Sequence, residues 1–415
     1  MFRFHLLILP FVLLATGVAA SEIRLTLHSA PGYAITHNHT LAAARFRIEE
    51  ARARIQQAGR LANPTLELEL NRNLRAPEGR IETGLVQSVP ITARLRLERR
   101  VSQAELAAVE AEVRDAERRI AAEVGRSAVN LLALAAQSSL RERQLANTRE
   151  LSGFTANRIA TGEAAPVEAS LIEFEAMQLQ SELVQLRGQR ADLVSGLRTL
   201  LGMDADTLPV ITGRLPGIGG LPKRGVTPSA RPDLAAAQRT AEAARLSTEL
   251  ARTGRWEDLS VGLNVSTERS EDVPEGFGND TFAGVRFSLP LPFWNSNSGR
   301  IREAAAAAMR AGKEVDALEG SIQAEGISAR AAMAILAEAV TALDDELLPQ
   351  ASQIEEQLRA SYASGQTSLA EVLRAKDRRL LMERQRVDAL RDYHLARIRL
   401  AAATGQTIPH TSISP

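Results

Sequence analysis

Hydrophobic and polar positions follow two periods along this chain. With a period of two, Leu66, Leu68 and Leu70 alternate with Glu67, Glu69 and Asn71, and Leu259, Val261, Leu263 and Val265 alternate with Ser260, Gly262, Asn264 and Ser266. Ala283, Val285, Phe287 and Leu289 do the same against Gly284, Arg286 and Ser288. The alternation predicts strands over 65–75, 81–91, 258–267 and 281–291, each about ten residues, the length of a tilted membrane-spanning β-strand. The segments between them, 72–80 and 267–280, are rich in Gly, Pro, Asn and charge and are expected to face outward. Elsewhere Ala, Leu, Glu and Arg dominate, with no proline between Pro90 and Pro166 or between Pro292 and Pro349. These strong helix formers predict two helices, 94–160 and 299–364, each roughly 100 Å long at 1.5 Å per residue. Shorter helices are expected near Thr40–Leu61 and Pro232–Arg255, and return helices over 166–202 and 368–404.

The two halves repeat each other. Gly59-Arg60 and the strand beginning at Asn63 match Gly254-Arg255 and the strand beginning at Asp258. Thr83-Gly-Leu-Val-Gln-Ser-Val-Pro matches Ala283-Gly-Val-Arg-Phe-Ser-Leu-Pro, and Arg158-Ile-Ala-Thr-Gly-Glu-Ala matches Ser361-Tyr-Ala-Ser-Gly-Gln-Thr. The order is kept throughout, so the chain reads as an internal duplication. Repeat one covers 21–207 and repeat two 231–405. The Pro- and Gly-rich segment 208–230 joins them, and 406–415 is a tail. In each repeat a helix is followed by two strands, a very long helix, a tip and a return helix. The first and return helices together nearly equal the long one, so they can pair with it antiparallel along its length.

Composition narrows the function. The 415 residues carry 50 basic and 50 acidic side chains and no cysteine. Zero net charge argues against nucleic-acid binding, and no disulfide, thiolate metal site or lipidated cysteine is available. Residues 1–20 read as a signal peptide: Arg3 lies in the positive start, Leu6–Leu14 forms a short apolar run, and Val18-Ala-Ala precedes Ser21. No other stretch of 18 apolar residues is expected, so a membrane role is expected to come from strands. Four strands cannot close, and an open edge is not viable in lipid. Three chains supply twelve, an even number that closes. The fold class expected is therefore mainly α with a transmembrane β-barrel, a homotrimer whose barrel continues into a helical tunnel.

Ala62-Asn-Pro-Thr-Leu before the first strand and the tips Ala160-Thr-Gly-Glu-Ala-Ala and Ala363-Ser-Gly-Gln-Thr-Ser give the chain a resemblance to the TolC-like outer-membrane efflux channels, over nearly all of residues 21–415. Within that family, Ser288-Leu-Pro-Leu-Pro-Phe-Trp-Asn-Ser-Asn-Ser-Gly-Arg-Ile resembles the strand-to-helix corner of heavy-metal channels of the cobalt–zinc–cadmium type. The resemblance implies a passive exit duct in the outer membrane. Its partners would be outer-membrane lipid, a periplasmic adaptor and a proton-driven inner-membrane pump of the RND type. Related folds also serve drug efflux and type I protein secretion, and a periplasmic coiled-coil scaffold is the reading from another class.

The resemblance assigns adaptor docking to the tip residues Thr161, Gly162, Glu163, Ala164, Ser364, Gly365, Gln366 and Thr367; reversing the chain is their plainer role. It places Glu371 at the constricted mouth, where three copies would form an acidic ring that attracts cations. Arg374 stands where the family commonly has a second acid, and Glu168 corresponds to Glu371 in repeat one. Ordinary solvated helix charge is the alternative for all three. Trp256, Phe293 and Trp294 flank the repeat-two strands at one end and suit a membrane-interface girdle, with packing beneath the barrel as the alternative. The segment 208–230 and the chain ends would form a belt around the tunnel. Pro349 is expected to kink the second long helix. His37-Asn-His39 reads as capping and packing, since i,i+2 side chains do not share a helix face. No metal site, cofactor or enzyme signature is found in the sequence.

Overall fold

A computed structural model describes residues 21–163, 165–219, 231–272, 274 and 276–405. The signal segment 1–20, most of the second half of the joining segment and the tail 406–415 lie outside the described residues.

The chain begins with β1 (Ser21–Thr26), then α1 (Ser29–His37) and α2 (His39–Gln57). Asn38 separates the two helices in an extended conformation. Its Oδ1 accepts a hydrogen bond from the Leu41 backbone N–H at 2.9 Å, so it caps α2. One helix over 40–61 was expected; the capping Asn, and the turn that ends at Gly59 (φ +72°), set the boundaries instead. A Cβ at Gly59 would lie 2.4 Å from the Leu95 carbonyl oxygen, so only glycine allows this close crossing. The hairpin β2 (Thr65–Arg72) and β3 (Gly79–Val89) follows, then α3 (Arg94–Ala160) and α4 (Pro166–Leu201), both close to their expected ranges.

β4 (Thr207–Thr212) comes next and pairs in parallel with β1, Ser21 opposite Thr207. The joining segment thus opens with a strand that sequence reading gave as linker. Its further course lies against repeat two: the Gly219 N–H donates to the Tyr393 oxygen at 3.1 Å and Tyr393 O–H donates to the Gly219 carbonyl at 2.6 Å. Repeat two continues as α5 (Pro232–Thr253), β5 (Leu259–Asp272), β6 (Gly276–Ser288), α6 (Ser298–Ala342), α7 (Leu348–Ala363) and α8 (Leu369–Thr404). β5 and β6 run farther out than expected and take up most of the segment 267–280 that was expected to lie between them. Between α6 and α7, Leu343–Leu347 forms a π-helical turn. Pro349 explains it. A proline inside a helix has no N–H and its ring crowds the carbonyl four residues earlier, here Asp345, and widening the preceding turn relieves that clash.

α3 is the spine. It packs against α2 and α4 on one side and against α5 and α8 on the other, while α6 and α7 lie beyond, against α5 and α8. The helices therefore stand in a curtain of four columns: α2 with α4, then α3, then α5 with α8, then α6 with α7. The largest core cluster joins Leu25, Ala30, Ala34, Val124, Leu131, Leu197 and Leu201 where the small sheet and α1 lie on α3 and α4. A second holds Ala329, Met333, Tyr393, Ala396 and Leu400 between α6 and α8. Alanines at these seams let the helices approach closely, and the curtain stays one helix thick. One expectation needs correction. The continuous helix Ser298–Ala363 contains an 18-residue window apolar enough, by length and composition alone, to cross a membrane, and little of it is buried within the chain.

Candidate channel wall, edges and mouth

The large sheet has the order β2-β3-β5-β6, antiparallel throughout. Glu82 lies opposite Glu69 and Ser266, and Gly84 opposite Glu67 and Asn264. Register thus places Glu67, Glu69, Glu82, Asn264 and Arg286 on one face, with Leu66, Leu68, Leu85, Leu263 and Val285 on the other. Burial is the reverse of a water-soluble sheet. Ser266 and Glu82 are 2% and 8% exposed, whereas Leu263 and Leu68 are 61% and 64% exposed.

Side chains reach across the polar face of the sheet. The Arg286 Nη2 donates to Glu82 Oε1 at 2.7 Å, and Nη1 stands 3.5 Å from Glu67 Oε2. β6 and β2 are the two edges, about 14 Å apart in a flat sheet. Their side chains meet above the two inner strands, so this face is concave. A sheet concave on its polar side and apolar on its convex side suits water within and lipid without.

The edges correspond. β2 follows α2 at the first edge of the curtain, and β6 precedes α6 at the last. Large exposed hydrophobics on the helices concentrate on those same outer columns: Phe174, Met177 and Val184 on α4, and Met309, Ile327 and Ile335 on α6. Of the inner helices, α3 and α5 carry none among the described residues and α8 carries one, Leu381. The unburied apolar window of Ser298–Ala363 belongs to this edge.

Where sheet meets curtain, Arg94 Nη2 donates to Asp258 Oδ2 at 2.5 Å. Asn297 is the one non-glycine residue at positive φ (+58°) among the described residues, and its Nδ2 donates to the Ala251 carbonyl at 2.7 Å. It thereby holds the end of α5 against the start of α6. Phe293 and Trp294 pack edge to face, 6.2 Å between centroids, beside this corner. Both are highly exposed, Trp294 at 97%, and Trp256 is exposed at the same end of the sheet. That exposure leaves them on the surface, outside any core of the single chain.

At the other end of the curtain the two tips repeat each other atom for atom. The Glu163 N–H bonds the Arg158 carbonyl at 2.8 Å and the Gly162 N–H the Ile159 carbonyl at 3.0 Å; Gln366 to Ser361 and Gly365 to Tyr362 do the same at 2.9 Å each. These are Schellman turns, which need a left-handed residue, and Gly162 (φ +78°) and Gly365 (φ +75°) supply it. Nothing lies within 4 Å of a Cβ built on either glycine, so the tips are open. Thr161 Oγ1 donates to the Arg158 carbonyl at 3.0 Å, and Ser364 closes the second tip through the Ser361 carbonyl. Ala164 lies outside the described residues.

Ser368 caps α8, accepting from the Glu371 N–H at 3.4 Å, while Thr367 Oγ1 donates to the Glu371 carboxylate. Glu371 and Arg374 are exposed and line one groove of about 700 Å³ with Leu347, Ile354, Leu358 and Met382. Glu168 is exposed in the first turn of α4, where the helix dipole favours an acid. Farther up, Asn147 Nδ2 donates to Asp377 Oδ1 at 2.9 Å and to the Leu373 carbonyl at 3.1 Å, tying α3 to α8. Burial raises the Asp377 carboxyl above its ordinary value; the Asn147 hydrogen bond opposes this, and nearby Glu175 adds to it. His37 stacks on Tyr33, 4.0 Å between centroids, a packing role. Among the described residues no group of three or more His, Cys, Asp or Glu side chains is arranged to hold a metal ion.

The family model described as outer membrane efflux protein matches residues 30–203 and 228–406. The chain belongs to that family. It is an outer-membrane efflux protein, and its two matched segments are the two repeats. Solved channels share its fold. CusC aligns with a TM-score of 0.75 and 20% identity over 92% of each chain. The CmeC outer membrane channel of Campylobacter jejuni gives 0.72 and 15% over 91% of this chain and 85% of its own. VceC of Vibrio cholerae gives 0.70 and 19% over 92% and 97%. No curated protein matches this chain by sequence.

Some residues of this efflux protein escaped sequence reading. Arg286, Asn264 and the Glu side chains stood on the polar face of their strands, but pairing across strands supplies the network. Asn38 and Asn297 act through backbone conformations that composition does not reveal.

Proposed function

We propose that three copies close edge to edge into a twelve-stranded barrel and a helical tunnel, the exit duct of a tripartite RND-type pump for heavy-metal cations. The inverted burial of the sheet carries this reading. A polar concave face and an apolar convex face have no use in a periplasmic scaffold. Matching open edges on sheet and curtain extend it, because one contact between copies joins β6 to β2 and α6–α7 to α2–α4 together. Three copies suit a duct better than two, since an eight-stranded barrel is filled by its own side chains. The open tips then form the periplasmic end that docks an adaptor, Glu371 and Arg374 line the mouth with Glu168 beside them, and Trp256, Phe293 and Trp294 lie at the periplasmic membrane interface.

The heavy-metal assignment rests on the Pro-Leu-Pro-Phe-Trp-Asn-Ser-Asn-Ser-Gly corner. Its test is survival of a deletion strain across cobalt, zinc, cadmium, nickel, copper and silver salts beside dyes and antibiotics. Sensitivity to metals supports it. Sensitivity to organic compounds alone transfers the duct to drug efflux, the second reading, with the fold unchanged.

A further inference from the structure

We propose that the concave wall of the β-sheet sets the ion preference of the duct and that Arg286 governs its charge. The proposal rests on the reading that copies of the chain close this sheet into a barrel. From the level of Arg80 to that of Ser88, the concave face carries the carboxylates of Glu67, Glu69, Glu82, Glu268 and Asp280 against the guanidiniums of Arg80 and Arg286. The wall is therefore acidic, with a net charge of minus three per chain.

The arginines hold the acids in place. Glu82 accepts from Arg286 and Asn264 on Oε1, at 2.7 and 2.9 Å, and from Arg80 on Oε2 at 2.6 Å. A nearly buried carboxylate with two guanidiniums and an amide is well compensated. Arg286 differs from Arg80 in reach: it crosses the sheet to Glu67 on the far edge, and about half of its side chain remains open on the concave side. Glycines make room for this bridge. A Cβ on Gly284 would stand 3.0 Å from Asn264 Oδ1, and one on Gly262 3.2 Å from Val86 Cγ2 and 3.7 Å from the Arg286 Cβ. Arg286 thus offsets two carboxylates and itself faces the lumen. Without it, Glu67 has no guanidinium within reach on this face, and the wall gains one negative charge per chain, repeated around the ring. Charges lining a pore concentrate the opposite ion, so the wall favours cations and Arg286 limits how strongly.

The full-length channel in planar lipid bilayers tests this by reversal potential in a KCl gradient with about 0.1 M salt on the dilute side, where the Debye length is about 10 Å. Parent channels should prefer cations. Arg286→Gln should raise the cation-to-anion permeability ratio about twofold or more, Arg286→Lys should leave it near the parent value, and Glu67→Gln with Glu69→Gln should lower it. The same shifts in a Glu371→Gln background separate the barrel wall from the mouth. Raising all salt to about 1 M, where the Debye length is about 3 Å, should shrink the differences. Conducting Arg286→Gln and Glu67→Gln/Glu69→Gln channels that both keep the parent reversal potential overturn the assignment; if Arg286→Gln forms no channels, the glutamine pair decides alone. Absence of conductance from the parent overturns the barrel reading on which it stands.

Discussion

Truncating the apolar side chains on one edge of the curtain should break the ring and leave the chain folded. Phe174, Met177 and Val184 on α4 are 65%, 55% and 63% exposed in the single chain, so they contribute little to its own stability. Full burial of such a side chain is worth about 1.5–3 kcal/mol. With rather more than half of each free to be covered, each contributes about 1–2 kcal/mol to an interface, and three together about 3–5. That is about two to three and a half powers of ten in the dissociation constant at each contact between copies. The F174A/M177A/V184A protein should therefore shift from trimer to monomer in detergent at micromolar concentration, read by light scattering on a sizing column or by native mass spectrometry. Its far-ultraviolet circular dichroism should match the parent. The opposite edge supplies the reciprocal test: Ile327, Ile335 and Ile354 changed to Ala should give the same loss, because one interface uses both edges. A triple variant on either edge as stable in assembly as the parent would refute the edge-to-edge reasoning. Trimer lost together with helix content would show instead that these side chains support the chain itself.

Three further outcomes follow from local geometry. Gly202 ends α4 at φ +65°, and a Cβ there would lie 2.2 Å from the His37 carbonyl oxygen, whereas Gly162 at φ +78° has open space. Gly202→Ala should cost about 1–2 kcal/mol for the left-handed backbone plus about 1–3 for the clash, and Gly162→Ala only the first part; equal thermal midpoints for the two would contradict this. His394 donates from Nε2 to the Pro216 carbonyl at 2.8 Å and is nearly buried, and burial lowers its pKa, with Arg397 adding to that and the hydrogen bond opposing it. Its folded pKa lies below the unfolded value of about 6.5, so the unfolded chain binds the proton more tightly and stability falls as pH drops through 6.5. The parent should therefore lose more thermal stability between pH 7.5 and 5.5 than His394→Gln does, and parallel losses would remove His394 as the cause. Glu371→Ala and Arg374→Ala should each alter single-channel conductance in bilayers, and unchanged traces from both would take them out of the mouth.

Much of this fold was legible because long repeats are written locally. α3 was bounded within a residue at each end, since 67 residues of helix formers lie between a proline-rich corner and a Gly-containing tip. Alternation likewise exposed both faces of three of the four strands, β2, β5 and β6. What escaped depends on partners distant in sequence. β1 is six residues long and needs β4, 186 positions away, to be a strand at all. The π turn before Pro349 satisfies the backbone around the proline, and a kink was the simpler expectation. Of the candidate site, the tips were legible because their Gly carries the turn by itself. The polar-face network was not, because whether Arg286 meets Glu82 depends on register across two strand pairs, and a shift of one residue would place it on the apolar face.

The open edges and the inverted sheet also bear on how assembly and insertion proceed. A single chain ends in the unpaired strands β2 and β6 and exposes Leu66, Leu68, Leu263, Val285 and Phe287 on one face, a sheet that is costly in water on that face and in lipid at both edges. Neither closure without lipid nor insertion without closure removes both costs. The long curtain can form first, because its core clusters lie within one chain and bury residues such as Met333, Tyr393, Val124 and Leu197 without a partner. Helical pairing between copies would then bring β6 of one against β2 of the next, so that barrel closure follows from contacts already made below it. Should copies close edge to edge as proposed, the edge hydrophobics of α4 and α6 would also set the register in which the strands meet.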